Sequence, residues 1–235
     1  MSLTLAFNGF FTKESSGGGG YDFENALTFD GVNDNLTGTA LTAPNDFTLS
    51  VWLKPEISTA SFQRFWLTEN TGNDRVFFYQ TEVFWRATGA TNEVRWSYDY
   101  RNDVGAWHHY CFSRIGTAVR FYVDSVEQSY SVQNGNSSGF TAGTIMFNIT
   151  QGQYPYKGLA DEWAFKIGTG ATQSDVDAIW NSGNGAAFDT VISSPDQYLK
   201  FNEATSYTGS TVADSSGNGN SMTMNNFTGT PFVPH

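Results

Sequence analysis

The sequence predicts an all-β domain, built as a two-sheet antiparallel sandwich with one short helix. Short segments with an apolar residue at every second position recur along the chain, and clusters of Gly, Asn and Asp separate most of them. Hydrophobic residues make up 39% and aromatics 16% of the 235 residues, enough for a large core. Charged residues are only 15%, too few for a disordered chain, so Thr, Ser, Asn, Gln and Gly must build much of the surface. Only one stretch carries the period of a helix. A sandwich of this length is an ordinary single unit.

The elements follow in order. Residues 3–11 form a short apolar stretch, and Ser15 to Gly20 ends in four consecutive glycines, a flexible composition. Residues 1–20 therefore read as an arm and linker ahead of a single domain over 21–235. The arm either docks on a neighbouring subunit, giving a homo-oligomer, or stays disordered. The first strands are expected at Ala26–Asp30 and Phe47–Leu53, where Phe47, Leu49, Val51 and Leu53 share one face. Further strands are expected at Phe62–Leu67, Arg75–Gln80, Val83–Ala87, Val94–Tyr98, Trp107–Arg114, Val119–Asp124, Ile145–Ile149 and Leu159–Ile167. Turn formers separate them, among them Asn70–Asp74, Asp103–Gly105 and Asn134–Asn136. The helix is placed at Gln173–Ser182. Ser174 is its cap, Asp175 and Asp177 lie in its first turn, Val176, Ile179 and Trp180 form its apolar face, and Gly183 is its stop.

Twelve Lys and Arg against 23 Asp and Glu leave a net charge of -11. Nucleic-acid binding needs basic groups to neutralise phosphates, and no basic cluster exists. The same balance disfavours an anionic membrane surface, and no apolar run is long enough to span a bilayer. An uncharged glycan, a cation such as calcium, or another protein remains as partner. Cys111 is the single cysteine; it lies in an apolar run and reads as a small buried residue.

Four segments, read in order, resemble the laminin-G-like branch of the concanavalin A-like lectin and glucanase superfamily. They are Ala26–Asp34; Phe47–Pro55; Trp107-His108-His109-Tyr110 with Arg114 and Val119–Asp124; and Gly158–Trp163 followed by the 174–182 helix. Together they cover residues 26–185, and Ser125 stands where the pattern has glycine. The resemblance implies a jelly-roll sandwich. A fifth segment is out of place. Tyr198–Glu203, Thr211–Asn220 and Met224–Asn226 resemble the strands that normally precede the first motif. Residues 198–235 therefore read as permuted first strands, against the alternative of a truncated second repeat.

The superfamily includes glucanases, and retaining hydrolysis needs two carboxylates about 5–5.5 Å apart on one side of the substrate. The acidic pair on a predicted core strand is Asp161-Glu162, and adjacent strand residues are expected to face opposite ways. The chain is therefore read as non-enzymatic, with glycoside hydrolysis as a minor alternative. His108 and His109 diverge for the same reason and have no zinc-type spacing. A Ser-His-Asp triad stays open, without a nucleophile elbow. The resemblance implies one structural calcium near the rim, with Asp30, Asp34 and Asp161 as candidate ligands; Asp161 could equally accept hydrogen bonds from a loop. Glycan binding needs aromatic faces with polar partners, and residues 62–100 are rich in aromatics. Trp66, Tyr79, Trp85, Trp96 and Tyr98 are the candidate ligand-binding residues.

Two functional readings follow. One is a carbohydrate-recognition module displayed on a phage virion or similar particle; the other is a structural decoration or tail protein that acts through contacts with neighbouring proteins. The opening residues lack the charged and apolar regions of a secretory signal. The expected location is a virion or extracellular surface reached without a cleaved signal, with the cytoplasm as the alternative.

Overall fold

The computed structural model describes residues 23–41, 43, 45–56, 62–68, 75–79, 81–86, 93–133, 144–147 and 155–235. The arm expected over 1–20, the turns at 70–74 and 134–136, and the Trp66 side chain lie outside the described residues.

The strands are β1 (Asn25–Asp30), β2 (Asn35–Ala40), β3 (Phe47–Pro55), β4 (Phe62–Thr68), β5 (Arg75–Tyr79) and β6 (Glu82–Arg86). There follow β7 (Glu93–Ser97), β8 (His108–Ile115), β9 (Ala118–Val123), β10 (Val126–Glu127), β11 (Tyr130–Gln133) and β12 (Thr144–Phe147). The last are β13 (Lys157–Ile167), β14 (Gln197–Leu199), β15 (Thr211–Val212), β16 (Met222–Asn225) and β17 (Phe232–Pro234). They form an antiparallel jelly-roll sandwich. An 8-stranded sheet runs β10-β9-β8-β3-β13-β1-β17, with β14 also on β13. A 9-stranded sheet runs β11-β7-β6-β5-β4-β12-β2-β16-β15. Residues of the 197–234 segment enter both sheets, since β14 pairs with β13, β16 with β2 and β17 with β1.

The two-residue period of β3 sends Phe47, Leu49, Val51 and Leu53 into the space between the sheets, and all four are buried. Opposite them, β6 and β7 contribute Val83, Trp85, Val94 and Trp96. Trp85 stacks on Phe47 with ring centroids 5.0 Å apart, and Trp96 meets Phe112 and Phe121 at 5.8 and 5.5 Å. These contacts join the sheets.

The outer face of the 8-stranded sheet is also covered. Helix α1 (Gln173–Trp180) and helix α2 (Phe188–Val191) bring Val176, Ile179, Phe188 and Ile192 against Cys111, Tyr122, Ala164 and Tyr198. Cys111 is fully buried there, and burial pushes its thiol pKa up. The cap of α1 is Thr172, not Ser174. Its hydroxyl accepts from the Asp175 N–H, and the Asp175 carboxylate accepts from Thr172 N–H in return, a reciprocal capping pair. Asn181, in the left-handed region at φ 48, ends the helix ahead of Gly183. Trp180 is only half-buried, and α2 was not expected. No helix among the described residues is long and apolar enough to cross a membrane.

Truncating Trp85 to Ala removes a ring that touches both sheets and should lower the unfolding free energy by about 3–5 kcal/mol. Urea denaturation checks this. A loss below about 1 kcal/mol would contradict the core placement of Trp85.

Candidate functional site

Two of the aromatic candidates are core residues. Trp85 is 1% and Trp96 0% exposed, so neither offers a ring face to a ligand. The reason is register. In the Phe84-Trp85 pair β6 must send one aromatic each way, and Trp85 is the one that points at β3 and β8. Tyr98, just past β7, is engaged at the rim: its hydroxyl donates to the two oxygens of buried Asp103 at 2.7 and 2.6 Å. Burial and that carboxylate hold the Tyr98 hydroxyl pKa well above its usual range. Tyr110 also donates to Asp103, and His108 Nδ1 lies 2.6 Å from Asp124. This is a closed polar network.

Tyr79 differs. It is half-buried and lies beside Phe84 on the outer face of the 9-stranded sheet, ring centroids 6.1 Å apart and edge to face. Cross-strand pairing sets Arg95 opposite Phe84, and its guanidinium sits 4.4 Å over the Phe84 ring. Glutamates hold that guanidinium in place: Glu93 accepts from Arg95 Nε, and Glu82 lies 3.5 Å from its Nη1. Glu93 also accepts from Arg86 Nε at 2.8 Å, and Ser131 donates to Glu82 at 2.7 Å. Phe84 is itself buried at 5% exposure, so the surface here consists of the half-buried Tyr79 ring and the Arg95 guanidinium with its glutamate partners. Phe84, Arg95 and Glu93 were not among the sequence candidates. A signal was present: with Val83 and Trp85 facing inward, Phe84 must face outward, and Arg95 alternates between Val94 and Trp96.

The acidic candidates are engaged with the backbone and with His235. Asp30 accepts from the Val32 N–H at 2.7 Å and the Asn33 N–H at 3.2 Å, shaping the β1–β2 turn. Asp34 accepts from the Asp30 N–H at 2.9 Å, and burial pushes its pKa up to about 6. Asp161 lies elsewhere on β13, where it accepts from the Glu162 N–H at 2.8 Å and bonds His235 Nδ1 at 2.7 Å. Among the described residues no group of three or more His, Cys, Asp or Glu is arranged for a metal ion. The three carboxylates do not fit a shared calcium.

The expectation that Asp161 and Glu162 face opposite ways is overturned by a β-bulge. The β13–β3 register shifts between Asp161 and Ala164, with Glu162 at φ 52. Glu162 accordingly reaches Tyr198 of the outer cluster, on the same side of the sheet as Asp161. Both are buried, at 0% and 4% exposure, so a glycosidic bond cannot lie between them in this structure. Burial and the Glu162 charge raise the Asp161 pKa well above the carboxylate range. A close Ser-His contact is sealed too. Ser50 Oγ is 2.8 Å from His109 Nε2, yet both residues are buried, and Asp124 accepts from the His109 backbone N–H, at 2.9 Å.

Residues 28–167 match the sequence profile described as the concanavalin A-like lectin/glucanases superfamily, of laminin G type. The chain belongs to this superfamily. No curated protein sequence matches it. Among solved structures, a Bacteroides ovatus protein with a proposed carbohydrate-binding role superposes with a TM-score of 0.68 at 16% identity, over 91% of this chain and 60% of that one. The heptameric SAP-like pentraxin of Limulus polyphemus gives 0.53 at 15% identity, over 68% of this chain and 83% of that one. The binding domain of botulinum neurotoxin serotype D gives 0.54 at 9% identity, over 67% of this chain and 42% of that one. At these identities the likeness is one of fold. The chain spans about 60% of the length of the Bacteroides ovatus protein. Of this concanavalin A-like sandwich's two outer faces, the helices cover part of one. The other carries Tyr79, Phe84 and Arg95.

His109 makes the stability depend on pH. Its Nδ1 has no partner among the described residues, and burial lowers its pKa from 6.5 to about 4. Between those values the folded state binds fewer protons than the unfolded one. The His109 contribution is therefore whole above pH 6.5 and is lost, on the order of 3 kcal/mol, as pH falls to about 4. Urea denaturation at stepped pH should show His109→Gln with a flatter profile than wild type over this window. Equal slopes would contradict the assignment.

Proposed function

We propose that the chain is a non-catalytic carbohydrate-recognition module, displayed on a virion or similar particle, that binds an uncharged glycan across Tyr79 and Arg95, with buried Phe84 as the floor beneath Arg95. The observation that carries this reading is the placement of Arg95 over Phe84, with Tyr79 beside it and Glu82 and Glu93 fixing its guanidinium. Sugars present apolar C–H faces together with hydroxyls, and such a surface answers both. A net charge of -11 favours an uncharged glycan over an anionic one. The burial of Asp161 and Glu162 supports a role without hydrolysis. The carbohydrate-binding role proposed for the Bacteroides ovatus neighbour supports the ligand class.

A purely structural decoration or tail role calls for a continuous apolar contact patch. Among the described residues the exposed large hydrophobics are Val32 in the β1–β2 turn, Ile115 at the end of β8, Val126 on β10 and Tyr130 on β11.

A glycan array followed by calorimetry on the best-bound glycan tests the proposal. Arg95→Ala and Tyr79→Ala should each weaken binding by about tenfold, or about 1.4 kcal/mol. Their circular dichroism should stay that of wild type. Unchanged affinity in both variants, or an array with no bound glycan, would refute it.

A further inference from the structure

The imidazole of His235 lies in a slot built from separate parts of the chain. On one face it stacks against Trp107 at 4.0 Å and 6°, and on the other against Phe23 at 4.3 Å and 17°. Its Nδ1 is 2.7 Å from Oδ2 of Asp161, which is itself 0% exposed. The Phe23 wall is backed by Gly185, at φ +67, where a Cβ would come within 2.3 Å of the Phe23 ring. Close approach leaves room only for glycine there. Phe23 in turn meets Trp52 edge to face at 5.2 Å.

Two aromatic faces and a desolvated carboxyl group are the elements that recognise a planar nitrogen ring, by stacking and by a hydrogen bond. Glu162 stands beside Asp161, and the Glu203 charge also acts on Asp161. Lys200 is drawn aside, its Nζ 5.0 Å over the Tyr198 ring. We infer that Phe23, Trp107 and Asp161 form a binding slot for an imidazole ring, filled in cis by the chain's own His235, and that occupancy of the slot holds β17 on β1. β17 has 3 residues and, among the described residues, is the edge strand of its sheet, with β1 as its one partner. So short an edge strand gains little from its own ladder, and the anchored ring beside it supplies the rest.

The test uses the full chain carrying His235→Gly, with imidazole as the added ligand. In the variant, hydrogen exchange at β17 and β1 should quicken by about tenfold or more. Imidazole should then bind saturably, change the tryptophan fluorescence and restore the protection. Asp161→Asn in the same background should abolish the rescue. The companion variant His235→Phe keeps a stacked ring without the hydrogen bond, and it should leave β17 exchange faster than in wild type. Unchanged exchange in His235→Gly, or protection that imidazole does not restore, would overturn the inference. Glycan affinity reports on the sheet face alone and should be unaffected, which keeps this outcome separate from the proposed function.

Discussion

The bulge at Asp161-Glu162 is the constraint on which much of the molecule depends. β13 pairs with β3 along 158–167, while on its other side β1 covers 157–160 and β14 covers 163–165. The extra residue falls where one neighbour gives way to the other. It turns two carboxylates to the same outer face, and a buried carboxylate is costly unless it is hydrogen-bonded. Tyr198 of β14 answers Glu162, and His235, just past β17, answers Asp161. The segment that supplies β14–β17 is thus tied to β13 by polar contacts as well as by strand pairing. We propose that this segment represents permuted first strands, since it fills places beside β13, β2 and β1.

The same arrangement separates the two outer faces. On the 8-stranded sheet the carboxylates, the helices and the slot around His235 cover the centre. The 9-stranded sheet instead turns outward a row of side chains that pair across strands, Tyr79 with Glu82 and Phe84 with Arg95. Its inward residues, Trp85 and Trp96, are spent on the core. Recognition on this fold is a matter of which residues of an alternating strand are left over once the core is filled.

Much of the fold was legible in the sequence. The alternation in Phe47–Leu53 marked β3, and Leu159–Ile167 marked most of β13. β2 was missed because Asn35–Ala40 carries almost no apolar signal, although Leu36 is buried. The cap of α1 was legible in principle, as Thr172 stands three residues before Asp175. The bulge left no local trace: a glutamate at positive φ is imposed by tertiary pairing, not by propensity. The site was legible only in part. Tyr79, a ligand-binding candidate, lies on the outer face, whereas Trp85 and Trp96 could not be separated from Phe84 without the register that turns them toward β3 and β8. The slot at His235 joins residues 23, 107, 161 and 235, a separation that no periodicity reveals.

The most direct measurement is the map of amide and side-chain chemical-shift changes on titrating the chain with a bound oligosaccharide. The shifts should concentrate on β5, β6 and β7, at Tyr79, Phe84 and Arg95, and leave Asp161, Glu162 and their partners still. Shifts centred on the Asp161-Glu162 bulge, with the β5–β7 face silent, would contradict the account.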